Sequence, residues 1–358
     1  MITENNLADW HFGIGIMSGT SLDGVDIAYC GFRLSNSGWE YRIEQAETIG
    51  YSSLILRMLH RMPEMNAVEL IKSDRELGSY YGNIAADFIK KHNIEPEFLS
   101  SHGHTIFHNP AYGYTFQAGH GANIALEAGV PVVCDFRSGD VALGGQGAPL
   151  VPVGDELLFS QYDALVNMGG FANISMNING KRLAWDICPV NIVLNYFARL
   201  KGSEYDKNGQ WAKTGILCTE LLRELNDISY YSQQQPKSLG REWVESAFLP
   251  VIQKYINLSV DDILCTVAHH AANQIADAAA NKEKVLFSGG GVRNTFLMSL
   301  IRSKSGQRAI AADSILIDFK EALVFAFLGW LRINRICNTL ESATGAKKAI
   351  SSGAIYLP

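Results

Sequence analysis

Within residues 15–26, GIMSGTSLDGVD, the hydroxyls of Ser18, Thr20 and Ser21 stand beside the carboxylates of Asp23 and Asp26. Hydroxyls can donate to phosphate oxygens. Carboxylates, which only accept, belong beside a phosphate cradle when a hydrated Mg²⁺ bridges the two. The interspersed Gly19 and Gly24 lack a Cβ, so backbone N–H groups there can close on an anion. The alternative is a plain β-hairpin turn, LDG, ahead of a second strand VDIAYCGF; the two readings are compatible.

Two further turns repeat the pattern of a β-type run ending in glycine: ALVNMGGFANIS, with Gly169, Gly170 and Asn173, and KVLFSGGGVRN, with Gly289, Gly290 and Gly291. Three such turns suit two facing domains that hold a nucleotide; the triple glycine could serve tight strand-to-helix packing only, but its position after a β run favours contact with a nucleotide. No GxxxxGKS or GxxxxGKT occurs, and Gly13-x-Gly15 is followed by Ser18 where a dinucleotide fingerprint needs its third glycine. Asp186 in AWDICPVN is a lone acid among apolar neighbours, ahead of a helix that Pro189 would start. Such an acid can have a raised pKa and act as a base, or it can cap the helix. His102, His104 and His108 in SHGHTIFHNP would share one face of an extended segment, but no second carboxylate or cysteine cluster accompanies them, so a polar substrate-facing strand end is favoured over zinc.

Elements of a size to position these groups are present. Between the glycine turns lie segments of helical periodicity, among them ELGSYYGNIAADFIKKHN, PVNIVLNYFARLKG, TVAHHAANQIADAAANKEK and KEALVFAFLGWLRINRI. Alternating strands and helices imply an α/β architecture, with ligands at the carboxyl ends of strands. A chain of 358 residues with 47% hydrophobic residues can bury a large core in two domains. The net charge of −6, with no basic cluster, argues against nucleic acid. The six cysteines stand singly in apolar surroundings and read as reduced core residues. The N-terminus carries no apolar leader and no stretch reaches the ~18 apolar residues of a spanning helix, so a cytoplasmic protein is expected.

Seven segments in order (GIMSGTSLDGVDIA, SHGHTIFHNP, GVPVVCDFRSGDVALGGQGAPLVP, NMGGFANIS, YDKNGQWAKTG, PKSLGREW and FSGGGVRN) resemble the anhydro-N-acetylmuramic acid kinase family across nearly the whole chain. The resemblance implies a two-domain actin-like ATPase fold of the ribonuclease H-like type, with an ATP cleft between the domains. It implies ATP and Mg²⁺ as cofactors, with a first phosphate loop over Gly19, Thr20, Ser21, Leu22, Asp23, Gly24, Val25 and Asp26. Asp23 and Asp26 would hold Mg²⁺ through water. Gly169, Gly170 and Asn173 would form the second loop, with Gly289, Gly290 and Gly291 on the nucleotide side. Asp186 aligns with the family base. It would take a proton from the water that attacks the anomeric carbon of the 1,6-anhydro sugar, whose freed O6 receives the γ-phosphoryl group in peptidoglycan recycling. His102, Thr105, Arg137, Asp140 and Glu321 match positions near the sugar.

The chain departs from the family where DTGPGN becomes DICPVN, introducing Ile187, Cys188 and Val190, and where His104 replaces Gln. The usual His after the second Pro of PLVPVGDELLF is also absent. These changes are expected near the sugar, so a kinase of a different sugar stands as an alternative, as does a non-catalytic Hsp70-like nucleotide-binding protein. The expected domains are 1–135, with 340–358 returning to it, and 136–339. Expected partners are the sugar and MgATP, with no nucleic acid and no membrane; a homodimer stands open beside a monomer.

Overall fold

The apolar run ahead of the first loop alternates glycine with isoleucine, and this alternation makes it a strand buried on both faces. In β1, His11–Ser18, Ile14 and Ile16 fill the core. On the other face, Gly13 and Gly15 lie so close to the Phe98 ring and the Ala322 carbonyl that a Cβ would collide with them. The Gly-x-Gly of β1 is therefore a packing device. The structure is a computed structural model and describes residues 6–19, 22–255 and 257–358.

Strand β1 pairs antiparallel with β2, Val25–Ser35, and β2 with β3, Gly38–Ile49. Strand β4, Phe98–Ser101, runs parallel to β1. Strands β5, His104–Asn109, and β6, Tyr114–Ala118, form a separate hairpin. Strand β7, Val132–Cys134, runs parallel to β4, and the C-terminal strand Ala354–Tyr356 closes the sheet antiparallel to β7. The second sheet repeats the plan: β8, Ala164–Met168, β9, Phe171–Ile178, and β10, Lys181–Pro189, form an antiparallel meander. Parallel strands β11, Val285–Ser288, and β12, Ala309–Ala311, extend it on the β8 side. The orders β3-β2-β1-β4-β7 and β10-β9-β8-β11-β12 are the same ribonuclease H-like arrangement, present twice in a mixed α/β chain.

The helical segments read from periodicity form helices Ala67–His92, Asn191–Leu200, Val260–Ala278 and Ser314–Ile333. Asn66 and Glu69 close a capping box on the first of these. Pro189 ends β10 rather than starting the next helix, which begins at Asn191. Cys30, Cys134, Cys188 and Cys265 are buried, whereas Cys218 is half-buried and Cys337 exposed, which corrects the all-core expectation. Among the described residues no helix is long and apolar enough to cross a membrane.

Two compact units result: Met1–Phe159 with Phe319–Pro358, and Ser160–Asp318. This division differs from the expected boundaries at 135/136 and 339/340, because the Pro- and Gly-rich passage after Cys134 is a clasp and not a hinge. The Thr344 hydroxyl donates to Asp140 Oδ1 at 2.7 Å, and Gln146 N–H donates to the Thr344 carbonyl at 2.8 Å. Lys320 and Asp155 form a buried ion pair at 2.7 Å, and Ser100 donates to the Phe325 carbonyl at 2.5 Å, which bind 319–339 to the first unit.

Candidate active site

The first unit carries the loop between β1 and β2. Register pairs Ser18 with Val25, so the strands end on either side of the intervening segment, and Asp26 lies on β2 opposite Met17 and Thr48. Thr20 and Ser21 lie outside the described residues. Val25 is fully buried and Leu22 packs on the same core, so neither offers its side chain to a ligand. Gly19 accepts from Leu22 N–H at 3.2 Å, and Gly24 packs on the Ile49 carbonyl. Asp23 is exposed, and Asp26 accepts from the Thr48 hydroxyl at 2.6 Å.

Beside the loop, the three histidines expected on one face point to three different partners. His104 Nδ1 meets the Ser18 hydroxyl at 2.8 Å, and Ser18 also bonds Tyr51. His108 meets Thr115 at 3.0 Å. His102 Nε2 receives two N–H groups of Arg137 at 3.1 and 2.9 Å, so it must be unprotonated, and Nδ1–H donates to the Gly103 carbonyl at 2.8 Å. Burial, with Arg137 adding to it, lowers the His102 pKa to about 3, in keeping with this tautomer. Asp140 is wholly buried, its oxygens taken by Gly147 N–H at 2.7 Å and by Thr344. His102 and Asp140 therefore do not present polar atoms to a sugar; they fix Arg137 and the 145–147 turn, a correction to their expected direct contact. Arg137 also donates to the Gly147 carbonyl at 2.9 Å and keeps further N–H groups on its fork. Thr105, on β5, receives Gln117 Nε2 at 3.4 Å. Glu321 is open at the surface, yet the protein around it strips enough hydration to raise its carboxyl above the ordinary range. Lys320 opposes that shift, Asp26 adds to it and Arg137 opposes it.

In the second unit the Gly169–Gly170 turn joins β8 to β9. Its carbonyls cap the helix Asn191–Leu200: Gly170 accepts from Val190 N–H at 2.8 Å and Ile192 N–H at 3.1 Å, Gly169 from Asn191 N–H at 3.3 Å. A Cβ at either glycine would meet no protein atom nearer than 3.7 Å, so the protein's own packing does not demand glycine there. Close approach of a ligand to the backbone would. At the end of β11, Gly289 has φ +80° and crowds Asn167 and Met168, and Gly291 also packs on Met168; Gly290 faces open space. Of the three, Gly290 alone is free of such packing. Asn173 pairs with Asp186 across β9 and β10.

Asp186 sits where β10 bulges, with Ile187 the extra residue. It does not cap the helix, whose N-cap is Val190 with no side-chain bond. Instead Oδ2 accepts from Leu239 N–H at 2.8 Å, its N–H donates to the Lys237 carbonyl at 3.0 Å, and its carbonyl accepts from Tyr230 O–H at 2.6 Å. Burial raises the Asp186 carboxyl above the ordinary range, against the pull of Leu239 N–H. Ile187, Cys188 and Val190 are all buried in the core of this unit, so the departure lies in the packing beneath Asp186 and not on a sugar-facing surface. The residues sequence reasoning missed are Tyr230, Lys237 and Leu239; PKSLGREW contained two of them but gave no sign of their partner.

Among the described residues no group of three or more His, Cys, Asp or Glu gathers as a direct metal cage. The donors present suit a hydrated Mg²⁺, which keeps waters and takes one or two carboxylates: Asp23 precedes β2 and Asp26 lies near its start, and the negative charge of Asp26 reaches Glu321.

The family model for anhydro-N-acetylmuramic acid kinase matches residues 11–358. A kinase of that name from Pasteurella multocida (strain Pm70) is 35% identical over 365 residues, covering 96% of each chain. Another, from Francisella tularensis subsp. novicida (strain U112), is 35% identical over 378 residues, 98% of this chain and 99% of that one. A third, from Sulfurimonas denitrificans, is 32% identical over 369 residues, 96% of this chain and 99% of that one. With the loops and the carboxylate already in place, these matches settle the family: the chain belongs to the anhydro-N-acetylmuramic acid kinases.

Proposed function

We propose that the chain is a cytoplasmic kinase that opens 1,6-anhydro-N-acetylmuramic acid with water and phosphorylates O6 with ATP, giving N-acetylmuramic acid 6-phosphate and ADP for peptidoglycan recycling. The observation that carries this reading is Asp186: a carboxylate at a strand end, freed from capping, held by one backbone N–H and shifted upward toward a useful base. Asp186 accepts a proton from the attacking water as its oxygen bonds the anomeric carbon. The anomeric carbon–O6 bond breaks, O6 attacks the γ-phosphorus, ADP leaves, and Asp186 returns its proton to solvent.

In the second unit the backbone at Gly169, Gly170 and Gly290, and in the first the loop from Gly19 to Asp26, are each suited to phosphate oxygens of the nucleotide. Asp23 and Asp26 would hold Mg²⁺ through its waters, and the ion, when bound, neutralises phosphate charge. Arg137 and Thr105 orient the sugar, His102 and Asp140 position Arg137, and Glu321 stands as a second acid near them. In a coupled assay with ATP, Mg²⁺ and the anhydro sugar, the wild type is expected to release ADP and Asp186→Asn to lose at least a hundredfold in kcat; no release above the Asp186→Asn background contradicts the proposal. Should a panel of other hexoses and amino sugars release ADP faster, the kinase reading would stand with a different sugar.

A further inference from the structure

The second unit holds a polar cavity of about 770 Å³, a size typical of small-molecule sites, whose walls include Asn226, Tyr231, Gln274, Asp277, Lys304 and Arg308. None of these takes part in the reaction above. The cavity follows the C-terminal half of helix Val260–Ala278 and the C-terminal end of helix Thr295–Ser305, whereas Gly289–Gly291 precede the N-terminus of the latter. That helix spans about 16 Å at ~1.5 Å per residue, which separates the cavity from the glycine turn.

The hydrogen bonding of its floor is set in advance. His270 is wholly buried, with Nδ1 2.7 Å from Asn226 Oδ1 and Nε2 2.8 Å from the Tyr231 hydroxyl. Gln274 Nε2 donates to the same Asn226 Oδ1 at 3.1 Å. Asn226 Oδ1 only accepts, so His270 donates from Nδ1 and accepts from Tyr231 at Nε2. Burial lowers the His270 pKa to about 3, which keeps the ring neutral in this role. One amide donor, Asn226 Nδ2, and one amide acceptor, Gln274 Oε1, on these two hydrogen-bonded residues, are then left with no protein partner among the described residues. Reversing every bond of the chain would exchange the two roles and still leave one of each. A neighbouring donor and acceptor complement a ligand amide, which offers one C=O and one N–H.

Charge supplies the other half of the recognition. Neither Lys304 nor Arg308 forms an ion pair among the described residues. Arg308 is oriented by donating to the Ser305 carbonyl at 2.7 Å and the Lys282 carbonyl at 3.4 Å. We propose that this cavity is a second ligand site, for a small carboxylic acid that bears an amide: an N-acylated amino acid or short peptide, its amide on Asn226 and Gln274 and its carboxylate on Lys304 and Arg308.

The test is calorimetric titration of the full-length protein with N-acetylglycylglycine, alone and with saturating 1,6-anhydro-N-acetylmuramic acid. The expected result is one saturable site that the sugar does not displace. It is weakened about tenfold or more by Lys304→Glu, an exposed position that does not threaten folding, and likewise by Gln274→Leu. Basal kinase activity is expected unchanged in Lys304→Glu. Absence of saturable binding, displacement by the sugar, or wild-type affinity in both variants would overturn the proposal. Because binding is read directly, the outcome does not depend on whether the kinase reading holds.

Discussion

Asp186 is held on three sides by groups that reach it from 44 to 53 positions along the chain: the Tyr230 hydroxyl, the Lys237 carbonyl and Leu239 N–H. The acid itself was legible as a base or a helix cap, and the family resemblance pointed to the base. Its partners were not, since nothing local in PKSLGREW announces a contact with β10. The raised pKa has two measurable consequences. As a base, Asp186 must be ionised, so kcat/KM is expected to fall as pH drops through a value above the ordinary carboxylate range. For stability the sign is opposite: burial disfavours the ionised form, a cost absent below the unfolded value of about 3.9 and fully present above the raised native one. Asn at this position keeps an acceptor for Leu239 N–H. Asp186→Asn is therefore expected to melt higher than wild type at pH 7, with the difference closing as pH falls toward 4. A variant that melts lower at pH 7 would show that the carboxylate is paid for by contacts stronger than those seen.

At the scale of elements, strand ends rich in glycine were readable as turns facing a ligand, but not which glycine does what. That distinction depends on neighbours from other strands. Gly289 needs its positive φ and its closeness to Asn167, while Gly290 faces nothing of the protein. Gly289→Ala is expected to cost roughly 1–3 kcal/mol of stability through backbone strain. Gly290→Ala is expected to leave stability within about 0.5 kcal/mol, as a surface change does, and to raise KM for ATP. Chemical denaturation and steady-state kinetics on the pair separate packing from binding, and equal effects on both readouts would contradict the assignment. The three histidines of SHGHTIFHNP illustrate a different limit. A bulge between Thr105 and Phe107 and the break between β4 and β5 send the rings to separate partners, which alternation along an ideal strand could not foretell.

For the molecule as a whole, the α/β class was legible from the alternation of β runs and helical segments and the two-domain actin-like fold from the family resemblance, whereas the shared strand order of the two sheets depends on pairings that no local pattern records. The division between the units was not legible either, because Pro and Gly are equally common in hinges and in buried clasps. The hydrogen bonds that Thr344 donates to Asp140 and accepts from Gln146 N–H decide for a clasp. The second unit is one continuous stretch with its own core, running from Ala164 through Phe248 and Leu264 to Ala309. Residues 160–318 expressed alone are therefore expected to unfold cooperatively, with near-ultraviolet dichroism from Trp185, Trp211 and Trp243, whereas residues 1–135 are expected to aggregate without the strand Ala354–Tyr356 and helix residues 319–333. A molten 160–318 fragment would contradict the division. Whether water opens the anhydro bridge as O6 is phosphorylated is decided by running the reaction in ¹⁸O-labelled water and analysing the product by mass spectrometry and ³¹P NMR. One ¹⁸O on the anomeric carbon, an unlabelled phosphate ester at O6 and at least a hundredfold slower product formation by Asp186→Asn are expected; a phosphorylated sugar with its anhydro bridge intact, or label in the phosphate ester, would overturn the mechanism.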